Sequence, residues 1–127
     1  MQGQPEPVQH ISAVTLLTRD MSKAVTFYQA LGFTLLYGGP EVPFTSFGVG
    51  DGYLNLQVDS VGPRKGVWGR VVFWVQDVDV MYKRVLEVGV VPDTVPADAS
   101  WGERLFHIHD PDGHEISFAR PLTSGNG

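Results

Sequence analysis

Residues 11–20 read ISAVTLLTRD and residues 70–77 read RVVFWVQD, two apolar runs that each end in an aspartate. After each aspartate the apolar period changes. Ala24, Phe27, Tyr28 and Leu31 recur at three- and four-residue spacing, and Met81, Val85 and Val88 do so more loosely, as on a helix that packs one stripe against a sheet. Asp20 and Asp77 are placed to cap those helices, and Gly32 and Gly89, each twelve residues further on, to end them. Both halves then run through extended segments to an Asp-Gly turn, Asp51-Gly52 and Asp112-Gly113. The pattern predicts strands over 10–18, 33–38, 43–49, 53–58, 69–76, 90–95, 104–109 and 114–120. The order is β-α-β-β-β, twice. This predicts an α+β fold: one domain, 1–127, of two βαβββ modules, 10–59 and 68–120, forming a curved, barrel-like mixed sheet with helices on the convex side. The second half carries an insertion, PDTVPADASWG at 92–102, read as a surface loop beside the working face.

Composition narrows the partners. The chain has 127 residues, 43% hydrophobic and 18% charged, which fits a folded domain rather than a disordered one. Cysteine is absent, which removes thiolate chemistry, thiolate metal sites and disulfides together. Nine Lys and Arg stand against 14 Asp and Glu, a net charge of −5, with no basic cluster to meet a nucleic-acid backbone. No run is long and apolar enough for a membrane span, and the polar start Met1–Gln9 does not resemble a secretory leader. The expectation is a cytoplasmic protein acting on a small organic molecule.

Side chains alternate along a strand, so a core position fixes the face of its neighbours. With Val14, Leu16, Leu54, Leu56, Val71, Phe73, Val75, Phe106, Ile108, Ile116 and Phe118 under the helices, the opposite face receives Ala13, Thr15, Leu17, Tyr53, Asn55, Gln57, Arg70, Val72, Trp74, Gln76, Leu105, His107, His109, Glu115 and Ser117. His114 falls on the other parity. Asp110-Pro111-Asp112-Gly113 reads as a turn whose carboxylates accept backbone N–H groups. His10 is expected at the solvent end of the first strand, and Gly38-Gly39-Pro40 is a plain turn.

Three segments, DMSKAVTFYQALGF (20–33), RVVFWVQDVD (70–79) and WGERLFHIHDPDGHEISF (101–118), resemble the vicinal oxygen chelate superfamily. That group includes glyoxalase I, extradiol dioxygenases, fosfomycin-resistance transferases and bleomycin-resistance proteins. The last segment is similar to the WG-x-R…DP-x-G-N/H pattern of the bleomycin-resistance branch. The resemblance implies four inward metal-ligand corners, which fall on Ala13, Asn55, Arg70 and Ser117, where the family pattern asks for His or Glu. None is a usual ligand for a transition ion, and Arg70 places a fixed positive charge where the cation would sit. Two like charges about 4 Å apart repel by about 4 kcal/mol at an effective dielectric of about 20. The expectation is no metal and no cofactor.

Without a metal, the inward face mixes apolar, aromatic and neutral-polar groups, as suits a largely apolar ligand held by a few polar contacts. The expected ligand-binding residues are Thr15, Tyr53, Asn55, Arg70, Val72, Trp74, Trp101, His107 and Ser117, with no catalytic residue assigned. This predicts metal-independent sequestration of an aromatic or heterocyclic, antibiotic-like compound. The resemblance further implies a homodimer in which modules of two chains complete each cavity. The alternative is an enzyme of the lyase, isomerase or dioxygenase type. It would use a non-standard metal site, with His107 and His109 two apart on one strand face, or a metal-free site using His107 as acid or base with Arg70.

Overall fold

The computed structural model describes residues 7–59 and 68–122; most of the Met1–Gln9 start lies outside them. The first module comprises β1 (Ala13–Thr18), α1 (Met21–Ala30), β2 (Thr34–Tyr37), β3 (Phe44–Val49) and β4 (Gly52–Val58). The second comprises β5 (Arg70–Trp74), α2 (Val78–Glu87), β6 (Ala97–Asp98), β7 (Glu103–His109) and β8 (Glu115–Pro121). Each module is a four-stranded sheet, ordered β1-β4-β3-β2 and β5-β8-β7-β6, with the first pair parallel and the rest antiparallel. This is the expected α+β arrangement of two βαβββ modules. The sheets curl but do not close into a barrel.

The helix ends follow from the sequence. The Asp20 carboxylate accepts from the Lys23 N–H at 3.0 Å and the Asp77 carboxylate from the Val80 N–H at 3.1 Å. Each such cap is worth about 1 kcal/mol. Gly32 and Gly89 leave the helices at φ +104 and +86, which a side chain would resist. In α1 the stripe Ala24, Tyr28 and Leu31 is buried, and Phe27 packs on the core from one side. In α2 Val85 is buried and Met81 packs on the core from one side, but Val88, the C-cap, is exposed. Arg104 holds α2 from the sheet side, donating to both oxygens of Asp79 at 2.9 and 3.0 Å and to Asp98 at 2.9 Å.

The sixth strand departs from expectation. Segment 90–95 is a loop, and the short β6 follows it at Ala97–Asp98, opposite Leu105 and Arg104. Pro92 and Pro96 have no N–H to give a ladder. The loop still follows β7: the Asp93 N–H donates to the His107 carbonyl at 2.8 Å, and the Thr94 hydroxyl accepts from the His107 N–H at 3.0 Å.

A single core joins the two modules. A chain of ring contacts runs from Tyr28 to Phe33 (5.3 Å between centroids), across the module boundary to Phe73 (5.0 Å), and on to Phe118 (6.0 Å), Phe106 (5.5 Å) and Tyr82 (5.2 Å). The turn after β7 docks onto the first module. The buried Tyr28 hydroxyl donates to Asp110 Oδ2 at 2.7 Å, and the other Asp110 oxygen accepts from the N–H groups of Asp112 and His114, both at 2.9 Å. Asp112 accepts from the Arg19 N–H at 3.1 Å, and His114 Nε2 donates to the Leu17 carbonyl at 2.7 Å. On the helical side, Arg84 Nε donates to the Ala30 carbonyl at 3.1 Å. The turn expected from Asp110-Pro111-Asp112-Gly113 is thus also a clasp between modules.

Burial, reinforced by the neighbouring Asp110 charge, pushes the Tyr28 phenol well above its ordinary range. The folded state therefore holds this proton more tightly than the unfolded chain. Its contribution is complete below about pH 10 and is lost as pH rises above it, by up to about 1.4 kcal/mol per pH unit. Denaturant midpoints should fall above about pH 10, and Tyr28→Phe should flatten that fall while costing about 1–3 kcal/mol at neutral pH through the lost bond to Asp110. Equal alkaline slopes in the two proteins would refute this assignment.

Candidate functional site

The strand registers set out two faces, each of three rows across three strands. On the first sheet, β1, β4 and β3 contribute Ala13, Tyr53 and Gly48, then Thr15, Asn55 and Ser46, then Leu17, Gln57 and Phe44. On the second, β5, β8 and β7 contribute Arg70, Glu115 and His109, then Val72, Ser117 and His107, then Trp74, Ala119 and Leu105. The parity expected from the sequence holds on these strands, because Leu16, Leu54, Leu56, Phe73, Phe106, Ile108, Ile116 and Phe118 are all in the core. Neighbouring strands lie about 4.8 Å apart and same-face rows about 7 Å apart, so each face is broad enough for a bicyclic ring system.

The first face carries no charged group. The second grades from charged, through polar, to apolar. Arg70 pairs with Glu115 at 3.1 Å, and His109 with Asp93 of the preceding loop. In the middle row His107 Nδ1 lies 2.6 Å from the Ser117 hydroxyl, and Ser117 is fully buried. In the middle row of the first face, Asn55 donates to the Thr15 hydroxyl at 3.3 Å. Burial lowers the His107 pKa below the ordinary imidazole value, and the Arg70 charge lowers it further. The ring is therefore uncharged at neutral pH.

A cavity of about 610 Å³ opens where the first module's β1 and β3–β4 turn meet β5. It brings together Tyr53, Arg70 and Val72 of the expected residues, with Ala13 at its edge. Tyr53 is 48% and Val72 46% exposed. Trp74 is 67% exposed and lines a separate cleft of about 240 Å³ with Phe33, Val49 and Phe73. Thr15, Asn55, His107 and Ser117 lie on the open faces outside the 610 Å³ cavity. Trp101 is 71% exposed on the turn between β6 and β7, its indole N–H donating to Glu103 at 3.1 Å, and lines neither of these two cavities.

Among the cavity residues outside the expected ligand contacts are His10, Asp51 and Trp68. His10 is exposed, as expected at the solvent end of the first strand. Trp68 was legible in principle, since it lies two residues before Arg70 and shares its parity. Asp51 was read as a turn residue. Its position on the cavity wall depends on how the two modules dock, which no local pattern encodes.

Residues 9–118 match the model of the Glyoxalase/Bleomycin resistance protein/Dioxygenase superfamily. The chain belongs to that superfamily. An uncharacterized protein of Mycobacterium bovis, Mb0911c, is 36% identical over 52 residues, 41% of this chain; the match spans about a third (34%) of that relative's length. Among solved structures, a lactoylglutathione lyase from Agrobacterium tumefaciens superposes with a TM-score of 0.72 at 21% identity, covering 90% of this chain and 95% of that one. A bleomycin-binding protein in complex with bleomycin gives 0.72 at 19% identity, covering 92% and 100%. TioX from Micromonospora sp. ML1 gives 0.71 at 26% identity, covering 87% and 98%. The superfamily fold thus accommodates both a lyase and a binding protein, and fold alone does not choose between them.

The metal corners implied by the superfamily do not fit an ion in this chain. Ala13 offers a methyl group, Asn55 a carboxamide engaged with Thr15, Arg70 a guanidinium engaged with Glu115, and Ser117 a hydroxyl engaged with His107. Among the described residues no group of three or more His, Asp and Glu is arranged to hold an ion. His107 should titrate in an NMR pH series with a midpoint below about 6.5, and Arg70→Gln should move that midpoint upward. An unmoved midpoint in the variant would remove Arg70 from the electrostatics of this face.

Proposed function

We propose that this protein binds a small aromatic or heterocyclic compound without a metal and acts by sequestering it. The observation that carries the reading is the state of the two faces. Three pairs of their polar side chains are bonded to one another, Thr15–Asn55, Arg70–Glu115 and His107–Ser117, while Trp74, Tyr53 and Val72 stay exposed. Such a surface gains most by covering apolar and ring area, and an aromatic contact adds about 0.5–1.5 kcal/mol beyond the area itself. The fold neighbour crystallised with bleomycin supports a binding role for this architecture. Each face is open in the single chain, which supports a homodimer in which the first face of one copy and the second face of the other enclose the ligand.

A second reading has one observation in its favour. His107 is held by a buried hydroxyl and kept uncharged, as a metal-free acid or base beside Arg70 would need to be.

Two outcomes separate these readings. On titration with planar heteroaromatic compounds, tryptophan fluorescence should quench saturably at one equivalent per site, unaltered by EDTA, and Trp74→Ala should weaken binding at least about tenfold. Binding that requires added metal, or turnover of many equivalents lost in His107→Ala, would overturn sequestration. Sedimentation at micromolar concentration should give a dimer, and a monomer there would reject the shared cavity.

A further inference from the structure

We propose that the cavity between the modules selects a flat aromatic cation, with Trp68 as its fixed wall. The inference rests on the binding role proposed above and adds a second position for a guest, apart from Trp74, with a preference of charge. Trp68 is 55% exposed, yet it is not free to turn. Its indole N–H donates to His114 Nδ1 at 2.8 Å, and the two rings meet edge to face with centroids 5.9 Å apart. His114 is itself immobilised: it is buried, its Nε2 donates to Leu17 and its backbone N–H to Asp110. Because the indole can only donate, His114 Nδ1 must accept and Nε2 must carry the proton. A chain of bonds therefore runs from the buried clasp to an aromatic ring on the cavity rim. Ordering an exposed indole normally opposes binding; here the fold has already ordered it.

The charges on the cavity wall point to the sign of the guest. Arg70 is its permanent cation, and Glu115 already matches it at 3.1 Å. Asp51, on the β3–β4 turn, has no hydrogen bond or ion pair among the described residues. An anionic guest would have to take Arg70 from Glu115. A cationic one meets the Asp51 carboxylate and the faces of Trp68 and Tyr53, the arrangement that attracts organic ammonium and pyridinium groups. The volume, about 610 Å³, admits a bicyclic ring with room to spare.

Calorimetry with N-methylquinolinium, neutral quinoline and quinolinecarboxylate, at neutral pH in EDTA, holds the ring constant and varies its charge. The cation should bind at least about tenfold tighter than the carboxylate, and Trp68→Leu should remove at least about tenfold of its affinity. Asp51→Asn, at an exposed turn, should cost the cation about threefold and leave quinoline unchanged, which keeps the test decisive if Trp68→Leu does not fold. Equal or tighter binding of the carboxylate, or a cation affinity untouched by either substitution, would overturn the cation site. Cation binding that Trp74→Ala weakens and Trp68→Leu does not would overturn this inference while leaving sequestration standing. A cation preference joined by turnover once metal replaces EDTA would do the reverse, and binding of none of the probes would overturn both.

Discussion

The buried carboxylate of Asp110 is the constraint on which the module arrangement depends. An ionised carboxylate removed from water is costly unless each oxygen finds a donor. Here one oxygen receives the Tyr28 hydroxyl from the other module and the second receives two backbone N–H groups of its own turn. Burial still pushes the Asp110 carboxyl upward, against the opposing pull of the Tyr28 bond, so solvation is the larger effect. The consequence is geometric. The turn can satisfy its carboxylate in this way only when seated on α1, and β8 begins directly after it at Glu115. Seating the turn therefore places β8, and through the parallel register it places Arg70 beside Glu115 and Val72 beside Ser117. A hydrophobic core alone, being non-directional, would tolerate sliding between modules; the directional bonds do not.

Much of this was legible in the sequence because it is local. The alternation in RVVFWVQD predicts both that Phe73 is core and that Trp74 faces away, and an inward Thr15, Asn55 or His107 follows from the same period of two. Asp20 and Asp77 announce the helix starts because the cap lies within three residues of the N–H it satisfies. The strand expected at 90–95 is absent because Pro92 and Pro96 interrupt the ladder that apolar Val90, Val91 and Val95 suggest. What stayed hidden was non-local: the clasp joins residues 82 apart, and the indole of Trp68 meets a histidine 46 residues on. Parity places His114 off the working face, and its side chain is buried. Its link to Trp68, the strand face notwithstanding, depends on side-chain reach across a turn, which a strand pattern does not describe.

The two modules share a fold but not an electrostatic character. All nine positions of the first face are uncharged, whereas the second holds Arg70, Glu115, His107 and His109. If two copies meet as proposed, the first face of one opposing the second face of the other, neither pairing brings like charges together. Apposing two second faces would instead set Arg70 and Glu115 rows against their own copies and desolvate both ion pairs, at a cost that burial seldom repays. Divergence between the repeats thus acts as a rule for which faces can close on each other.

The internal pairing of polar groups bears on chemistry as much as on assembly. A catalytic centre depends on groups whose bonding capacity is held open for the substrate, whereas a binding surface gains from polar groups already satisfied, since any left unpaired on closure would cost about 1–3 kcal/mol each. On these faces Asn55 turns to Thr15, Arg70 to Glu115 and Ser117 to His107, so a guest that covers these pairs displaces little. The remaining driving force is the exposed ring and aliphatic area of Trp74, Tyr53 and Val72, at about 25 cal/mol per Å² covered. His107 is the exception that keeps an enzymatic reading alive, because Ser117 engages one ring nitrogen and the other has no partner among the described residues. An imidazole held neutral by burial and by Arg70 can either accept a proton from a guest or simply bond to it. The same two features, uncharged at neutral pH and fixed in orientation, serve recognition without any bond being broken, so His107 alone does not make this face a catalyst.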